Sequence, residues 1–235
     1  MVNSDSDAGA SRRLVPARGD GGASRGAVPD VHELLADSEA LFRHIRAVLD
    51  RPRQIAPLGA GLRRAAVLLP LVVTQGGPAL ILTRRTDNVE HHKGQISFPG
   101  GALDDGEEPV AGALRETYEE IGVPPSDVDV LGGLDDEEAA ISGFMVSPFV
   151  GTLPYPRRLR VSPDEVHAVL VATLRTLLDP RHVRTELYRR PRGDSVVMYY
   201  YQAGSDVIWG ATGRIVARFL EAVFDVPLVR AGAAR

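Results

Sequence analysis

The sequence contains no cysteine, which excludes disulfides, thiolate nucleophiles and cysteine-ligated metal sites. That absence suits a reducing compartment, and no charged-then-apolar leader pattern opens the chain, so a cytoplasmic location is the expectation. No apolar run approaches the roughly 18 residues of a helical membrane span, so no membrane partner is expected. A basic excess is lacking too. Lys and Arg total 27 against 31 Asp and Glu, a formal net charge of −4, which gives no footing for nucleic-acid binding.

What is present is an ordinary globular composition. The 235 residues are 44% apolar and 25% charged, enough for one sizeable domain or two small ones. Residues 1–29 are rich in Gly, Ser, Ala, Asp and Arg without periodicity and read as a disordered tail. Residues 30–64 read as a helical segment and connector. Val31, Leu34, Leu35, Leu41, Phe42, Ile45, Val48 and Leu49 recur at helical spacing, as one helix or two, with Asp30 as a candidate N-cap. Residues 65–228 carry the main domain.

That domain opens with two strand candidates, Ala65–Val73 and Ala79–Arg85, around the turn sequence TQGGP, a hairpin signal. Pro70 inside the first run predicts an edge strand or a bulge. A short strand, QISFPGG, leads into a helix over Pro109–Ile121, with Pro109 suited to its first turn and Gly122 to its stop. VDVLGGL, GFMVSPFVGTL, EVHAVLVA and SVVMYYYQ read as further strands and TLRTLLD as a short helix. DVIWGATGRIVARFLEAVF reads as a closing amphipathic helix. The pattern predicts an α/β fold, a mixed β-sheet with helices on both faces.

The helix over 109–121 is unusually acidic. At about 100° per residue, Val110, Ala113, Leu114, Thr117 and Ile121 fall within about 60° of one line and form the core stripe. Glu116, Glu119 and Glu120 form a separate carboxylate stripe, and Arg115 lies one turn before Glu119. No lysine follows four residues on to relieve these glutamates. A divalent cation would relieve them, and an all-oxygen donor set suits Mg²⁺ or Mn²⁺. Without the cation the helix is expected to be less stable.

From Gly101 to Val123 the chain matches the Nudix signature G-x5-E-x7-R-E-U-x-E-E-x-G-U, where U is apolar. Gly101, Glu107, Arg115, Glu116, Glu119, Glu120, Gly122 and Val123 occupy its fixed positions, and Thr117 stands at an apolar one. The segment resembles a Nudix hydrolase. The resemblance implies an α/β/α sandwich and hydrolysis of a nucleoside diphosphate linked to another moiety. It assigns metal ligation to Glu116 and Glu120, with Glu119 close behind. Glu119 is the expected general base, and Glu107, Arg115 and Gly122 organise the motif. Glycines 100 and 101 allow close approach of the backbone to metal or phosphate.

Upstream, ILTRRTDNVEHHKGQISFPGG resembles the segment that precedes the signature in the coenzyme A pyrophosphatases of that family. Ile81, Leu82, Thr83, Arg85, Gly94, Phe98, Pro99, Gly100 and Gly101 carry the likeness. Thr86 and Glu90 depart from it, and Glu90 places a carboxylate where the pattern has arginine. The implied reaction cleaves coenzyme A, or acyl-CoA, to 4′-phosphopantetheine and adenosine 3′,5′-bisphosphate. Arg85 is the first candidate for a phosphate contact, with Lys93 a second cation nearby, and Arg84 reads as solvated surface. The alternatives are a Nudix hydrolase of ADP-ribose, a dinucleotide or a nucleoside triphosphate, and a non-hydrolytic nucleotide sensor. A homodimer is compatible with the sequence.

Other features are read against a plainer background. His91 and His92 point opposite ways on a strand, which disfavours a metal pair. Asp135–Glu138 reads as a solvated loop, with a further metal carboxylate as the sharper option. Tyr199 and Tyr201 share one strand face and are expected in the core, as is Trp209.

Overall fold

The computed structural model describes residues 30–86, 94–139, 142–155, 158–190 and 193–229. The tail over 1–29, Glu90, His91, His92 and Lys93 lie outside the described residues.

Two short helices precede the sheet, α1 (Val31–Ala36) and α2 (Ser38–Leu49). Each has its own carboxylate cap. Asp30 accepts from the backbone N–H of His32 at 2.7 Å and of Glu33 at 3.3 Å. Asp37 accepts from Ala40 at 3.0 Å. Satisfying the free N–H groups of a first turn in this way stabilises a helix by about 1 kcal/mol, and Asp37 is why the segment divides in two.

Eight strands form the main sheet. They are β1 (Arg63–Thr74), β2 (Gly77–Arg85), β3 (Ile96–Ser97), β4 (Gly100–Ala102), β5 (Asp129–Gly133), β6 (Glu137–Ala139), β7 (Phe144–Thr152) and β8 (Val166–Thr173). The main path runs β3-β2-β1-β7-β5, with β4 paired to β1, β6 to β7 and β8 to β2. β1 and β7 are parallel and the other pairs antiparallel, so the sheet is mixed, as expected. The hairpin closes at Thr74 opposite Gly77.

Pro70 corrects an expectation. β1 is a central strand rather than an edge. The N–H of Leu68 donates to the Pro99 carbonyl, so by alternation position 70 turns its nitrogen to the same side. There the partner of β1 changes from β4, paired at Ala65–Val67, to β2, paired from Leu71 onward. The proline places its missing donor at that junction, where no ladder bond is lost.

Alternation along β1 also divides the core. Leu69 and Leu71 face one layer with Leu41 and Ile45 of α2 and with Phe219 and Leu220 of the last helix, α5 (Gly210–Phe224). Ala66, Leu68 and Val72 face the other way, toward Ala113 and Ile121 of α3 (Pro109–Ile121). Leu68, Leu69 and Leu71 are fully buried, each worth about 1.5–3 kcal/mol relative to exposure. Helices therefore cover both faces, an α/β/α sandwich.

The sequence reading missed a second sheet. After the short helix α4 (Leu174–Leu178) come β9 (Val183–Arg189), β10 (Ser195–Ala203) and β11 (Asp206–Ile208), in the order β11-β10-β9. The closing helix consequently starts at Gly210, because Asp206–Ile208 pairs with Ala203–Tyr201 as a strand. Tyr199 and Tyr201 are buried and stacked, ring centroids 6.4 Å apart, as alternation predicts.

Candidate active site

The site grows from two neighbouring pieces of chain, the glycine loop at β4 and the helix α3. β4 pairs Gly100 with Val67 and Gly101 with Ala66. A Cβ on Gly100 would stand 2.3 Å from the Ala66 carbonyl oxygen, so the backbone φ of 153° and the tight approach both require glycine. A Cβ on Gly101 would stand 2.5 Å from the Glu116 carboxylate. The loop and helix thus meet at a point that only a glycine leaves open.

α3 starts at Pro109 and stops at Gly122, which caps it at φ 70°. Thr117 is fully buried and its hydroxyl donates to the Ala113 carbonyl at 2.6 Å, which satisfies the polar atom at an apolar position of the motif.

Arg115 organises the acidic stripe. It binds Glu107 bidentately, Nε to Oε1 at 2.9 Å and Nη2 to Oε2 at 3.0 Å. It also donates to Glu116 at 2.9 Å, to Glu119 at 3.3 Å and to the Ala102 carbonyl at 3.2 Å. The expected Arg115–Glu119 pair is therefore the weaker part of a wider clamp. The Arg115 hydrogen bonds hold the Glu107 carboxyl down at about 2.

Glu120 departs from the expectation of an outward-facing carboxylate. It is 2% exposed, and its carboxylate accepts from the Thr83 hydroxyl at 3.4 Å. Helical phase explains this: position 120 lies only about 20° from Ala113, at the border of the buried stripe. Burial pushes the Glu120 carboxyl up to about 8, with Arg85 opposing and Glu116 and Glu165 adding to the rise. Glu116 is raised as well, first by burial, with Arg115 opposing.

Glu165 is a carboxylate that the sequence reading did not single out. Nothing in its spacing ties it to the motif. The fold does so, because the chain over 160–165 closes the end of α3. The Arg160 N–H donates to the Ile121 carbonyl at 3.1 Å and the Ser162 N–H to the Glu120 carbonyl at 2.9 Å. Glu165 then faces Glu116 and Glu120 closely enough to raise both.

Beside these groups lies a cavity of about 860 Å³. Arg85, Gly100 and Gly101 line it. The buried Nε of Arg85 has no hydrogen-bond partner among the described residues. A register shift interrupts the β2–β8 pairing between Arg84 and Arg85, and the two arginines have different fates. Arg84 forms an ion pair with Asp206 and is not plain solvated surface. Lys93, the other expected substrate cation, lies outside the described residues.

The residues 135–138 are not a solvated loop but carry a set of ion pairs. The Asp136 side chain is fully buried between Arg64, at 2.9 Å, and Arg53, at 3.4 Å. Glu137 is buried between Arg214, at 2.6 Å, and Arg218, at 3.2 Å, and Glu138 pairs with Arg190 at 3.3 Å. Trp209 is not core: it is 40% exposed, lines the cavity and stacks on Tyr200.

Family comparison agrees with this geometry. The family model described as NUDIX domain matches residues 62–191. The chain belongs to the Nudix family. Among curated relatives of this Nudix chain, the uncharacterized Nudix hydrolase NudL of Escherichia coli strain SMS-3-5 is 40% identical over 156 residues. That alignment spans 66% of this chain and 79% of the relative. The NudL protein of Shigella boydii serotype 18 gives the same identity and coverage. Among solved structures, the Nudix hydrolase RenU from M. Smegmatis is 18% identical with a TM-score of 0.48. It covers 74% of this chain and 92% of its own.

The Nudix-box donors are chemically suited to a hard divalent cation. They are carboxylates only, and Glu165 adds to the rise at both Glu116 and Glu120, while Arg85 and the Thr83 hydroxyl oppose it at Glu120. In the arrangement described, Arg115 draws Glu116 and Glu119 to itself, and no group of three or more acidic or histidine side chains converges on one point among the described residues. The fit rests on donor type and on crowded, buried charge.

Proposed function

We propose that this Nudix hydrolase cleaves the pyrophosphate bond of coenzyme A, with acyl-CoA as a related substrate, in the cytoplasm. The observation that carries the reading is Arg85, which lines the same cavity as Gly100 and Gly101 and whose buried Nε has no partner among the described residues. Its charge acts on Glu120 of the acidic helix, and it shares the cavity with the apolar side chains Val67, Phe144, Val146 and Ile215 of the wall. A diphosphate would satisfy that donor, and the wall has room for a long substituent. The upstream segment from Ile81 to Gly101 supports coenzyme A in particular.

Glu116 and Glu120 would hold Mg²⁺ or Mn²⁺, with Glu119 and Glu165 beside them. The bound cation supplies a polarised phosphoryl oxygen and a more acidic water. Glu119, with a side chain 51% exposed, would take the proton of the attacking water and release it to solvent. Arg115 and Glu107 keep the helix and loop in register. Arg85 binds the diphosphate, and Gly100 and Gly101 let it approach the backbone.

Glu90 favours one competing reading. It replaces an arginine of the coenzyme A pattern, so a different nucleoside diphosphate derivative, such as ADP-ribose or a dinucleotide, is the second candidate. The test is a product screen with Mg²⁺ and with Mn²⁺ against CoA, acetyl-CoA, ADP-ribose, NADH and a diadenosine polyphosphate. Adenosine 3′,5′-bisphosphate released from CoA at the highest kcat/KM supports the proposal. Preferred cleavage of ADP-ribose overturns it, and binding without cleavage of any of the five points to a sensor.

A further inference from the structure

The chain has a single tryptophan, and it stands in the wall of the active-site cavity rather than in the core. The Trp209 indole lies nearly parallel to the Tyr200 ring, 10° between planes and 6.3 Å between centroids. The Arg184 guanidinium carbon is 3.9 Å from the centre of the same tyrosine ring. Alternation along β10 sets this up. Tyr199 and Tyr201 point into the core, while Tyr200 shares the opposite face with Val196 and Met198, which line the cavity.

Backbone fixes where the indole stands. Ile208 is held opposite Tyr201 in the β10–β11 ladder, and Gly210 turns at φ 70° to begin α5. Trp209 is confined between these two positions. A Cβ on Gly210 would lie 3.3 Å from the Gln95 Nε2, so a side-chain amide lies against the residue that follows the tryptophan. The Gln95 backbone carbonyl in turn accepts from the Arg85 backbone N–H at 3.0 Å. Trp209, Gln95 and Arg85 all line the same cavity.

We propose that Trp209 is the stacking plate for the adenine base of the substrate, with the Gln95 amide reading the edge of that base. This rests on the reading above only in requiring an adenine nucleotide. A rigid plate already stacked on a second ring suits a planar π ligand. An amide that both donates and accepts matches an adenine edge. The pantetheine arm carries amides that could pair with Gln95 but has no ring to stack on Trp209, so the plate is the discriminating feature.

Because no other tryptophan contributes, intrinsic fluorescence reads this plate directly. Wild-type protein is titrated with adenosine 3′,5′-bisphosphate, with ADP and with 4′-phosphopantetheine. The expected result is saturable quenching by both adenine nucleotides and none by 4′-phosphopantetheine. Quenching by 4′-phosphopantetheine alone, or by none of the three, overturns the assignment. In steady-state assays on whichever adenine nucleotide substrate the product screen identifies, Trp209→Ala should raise KM by about tenfold with kcat nearly unchanged. Trp209→Phe should stay near wild type. An unchanged KM in a folded Trp209→Ala variant overturns the proposal. A wild type that cleaves ADP-ribose but not CoA, yet is quenched by ADP, sinks the CoA reading and leaves the adenine plate standing.

Discussion

Arg115 grips Glu107 through two hydrogen bonds of 2.9 and 3.0 Å, and that pair ties the glycine loop to α3. Charge-assisted, bidentate contacts of this kind are the stronger class of hydrogen bond. Glu107→Gln should therefore lower stability by about 1–2 kcal/mol. The pH dependence follows from the direction of the shift. The Glu107 carboxyl is held down at about 2 from an ordinary 4.5, so its contribution is complete above about 4.5 and is lost as pH falls through about 2. Thermal melts of wild type and Glu107→Gln should differ near neutrality and converge over that acid window. A constant gap would show that the pair does not act through ionisation.

Glu120→Gln separates stability from activity. The side chain is 2% exposed and faces Glu116 and Glu165, so the isostere removes an ionisable group from a crowded acidic site without leaving a cavity. In chelator-treated protein the variant should melt no lower than wild type. Its kcat should fall on the order of 10²–10³. Mg²⁺ should raise the melting temperature of wild type and do little for the variant. Normal turnover by Glu120→Gln would remove this residue from the metal set.

The two adjacent glycines should fail in different ways. At Gly101 the added methyl meets the far end of the Glu116 side chain, which can swing aside. Gly101→Ala should therefore fold and lose activity as the carboxylate is displaced. At Gly100 it meets the Ala66 carbonyl and the Val67 backbone at a φ of 153°. Gly100→Ala should lower the melting temperature itself, because backbone cannot yield as a side chain does. Equal melts for the two variants would contradict this division.

These contrasts show where sequence pattern carries information and where it stops. The box, its helix bounds, the Thr117 position and the facing tyrosines follow from local period and spacing, so they could be read directly. Glu120 reads as outward when the carboxylate stripe is taken as one direction, although its phase lies beside Ala113. Glu165 and the buried Asp136 depend on which loop folds over which helix end, and that is set by tertiary contacts. The sheet of β9, β10 and β11 was only partly visible. β9 is mostly exposed, so it lacks the apolar alternation that marks a half-buried strand.

Glu165 and Asp136 give the last test, because both are acidic residues outside the box with opposite expected behaviour. Glu165 faces Glu116 and Glu120, so Glu165→Gln should raise the Mg²⁺ concentration for half-maximal activity by about tenfold. Its melting temperature without metal should hold or rise, since one member of a crowded acidic group is gone. Asp136 is a buried partner of Arg53 and Arg64 and accepts from the Ser147 hydroxyl at 2.7 Å. Asp136→Asn leaves two guanidinium groups poorly compensated and should cost about 3 kcal/mol, with the Mg²⁺ requirement of the folded fraction unchanged. A Mg²⁺ titration and a chemical melt on each variant distinguish the roles. If Asp136→Asn shifts the Mg²⁺ dependence and Glu165→Gln does not, the extra carboxylate of this site comes from residues 135–138 after all, and the closure of 160–165 over α3 serves the fold alone.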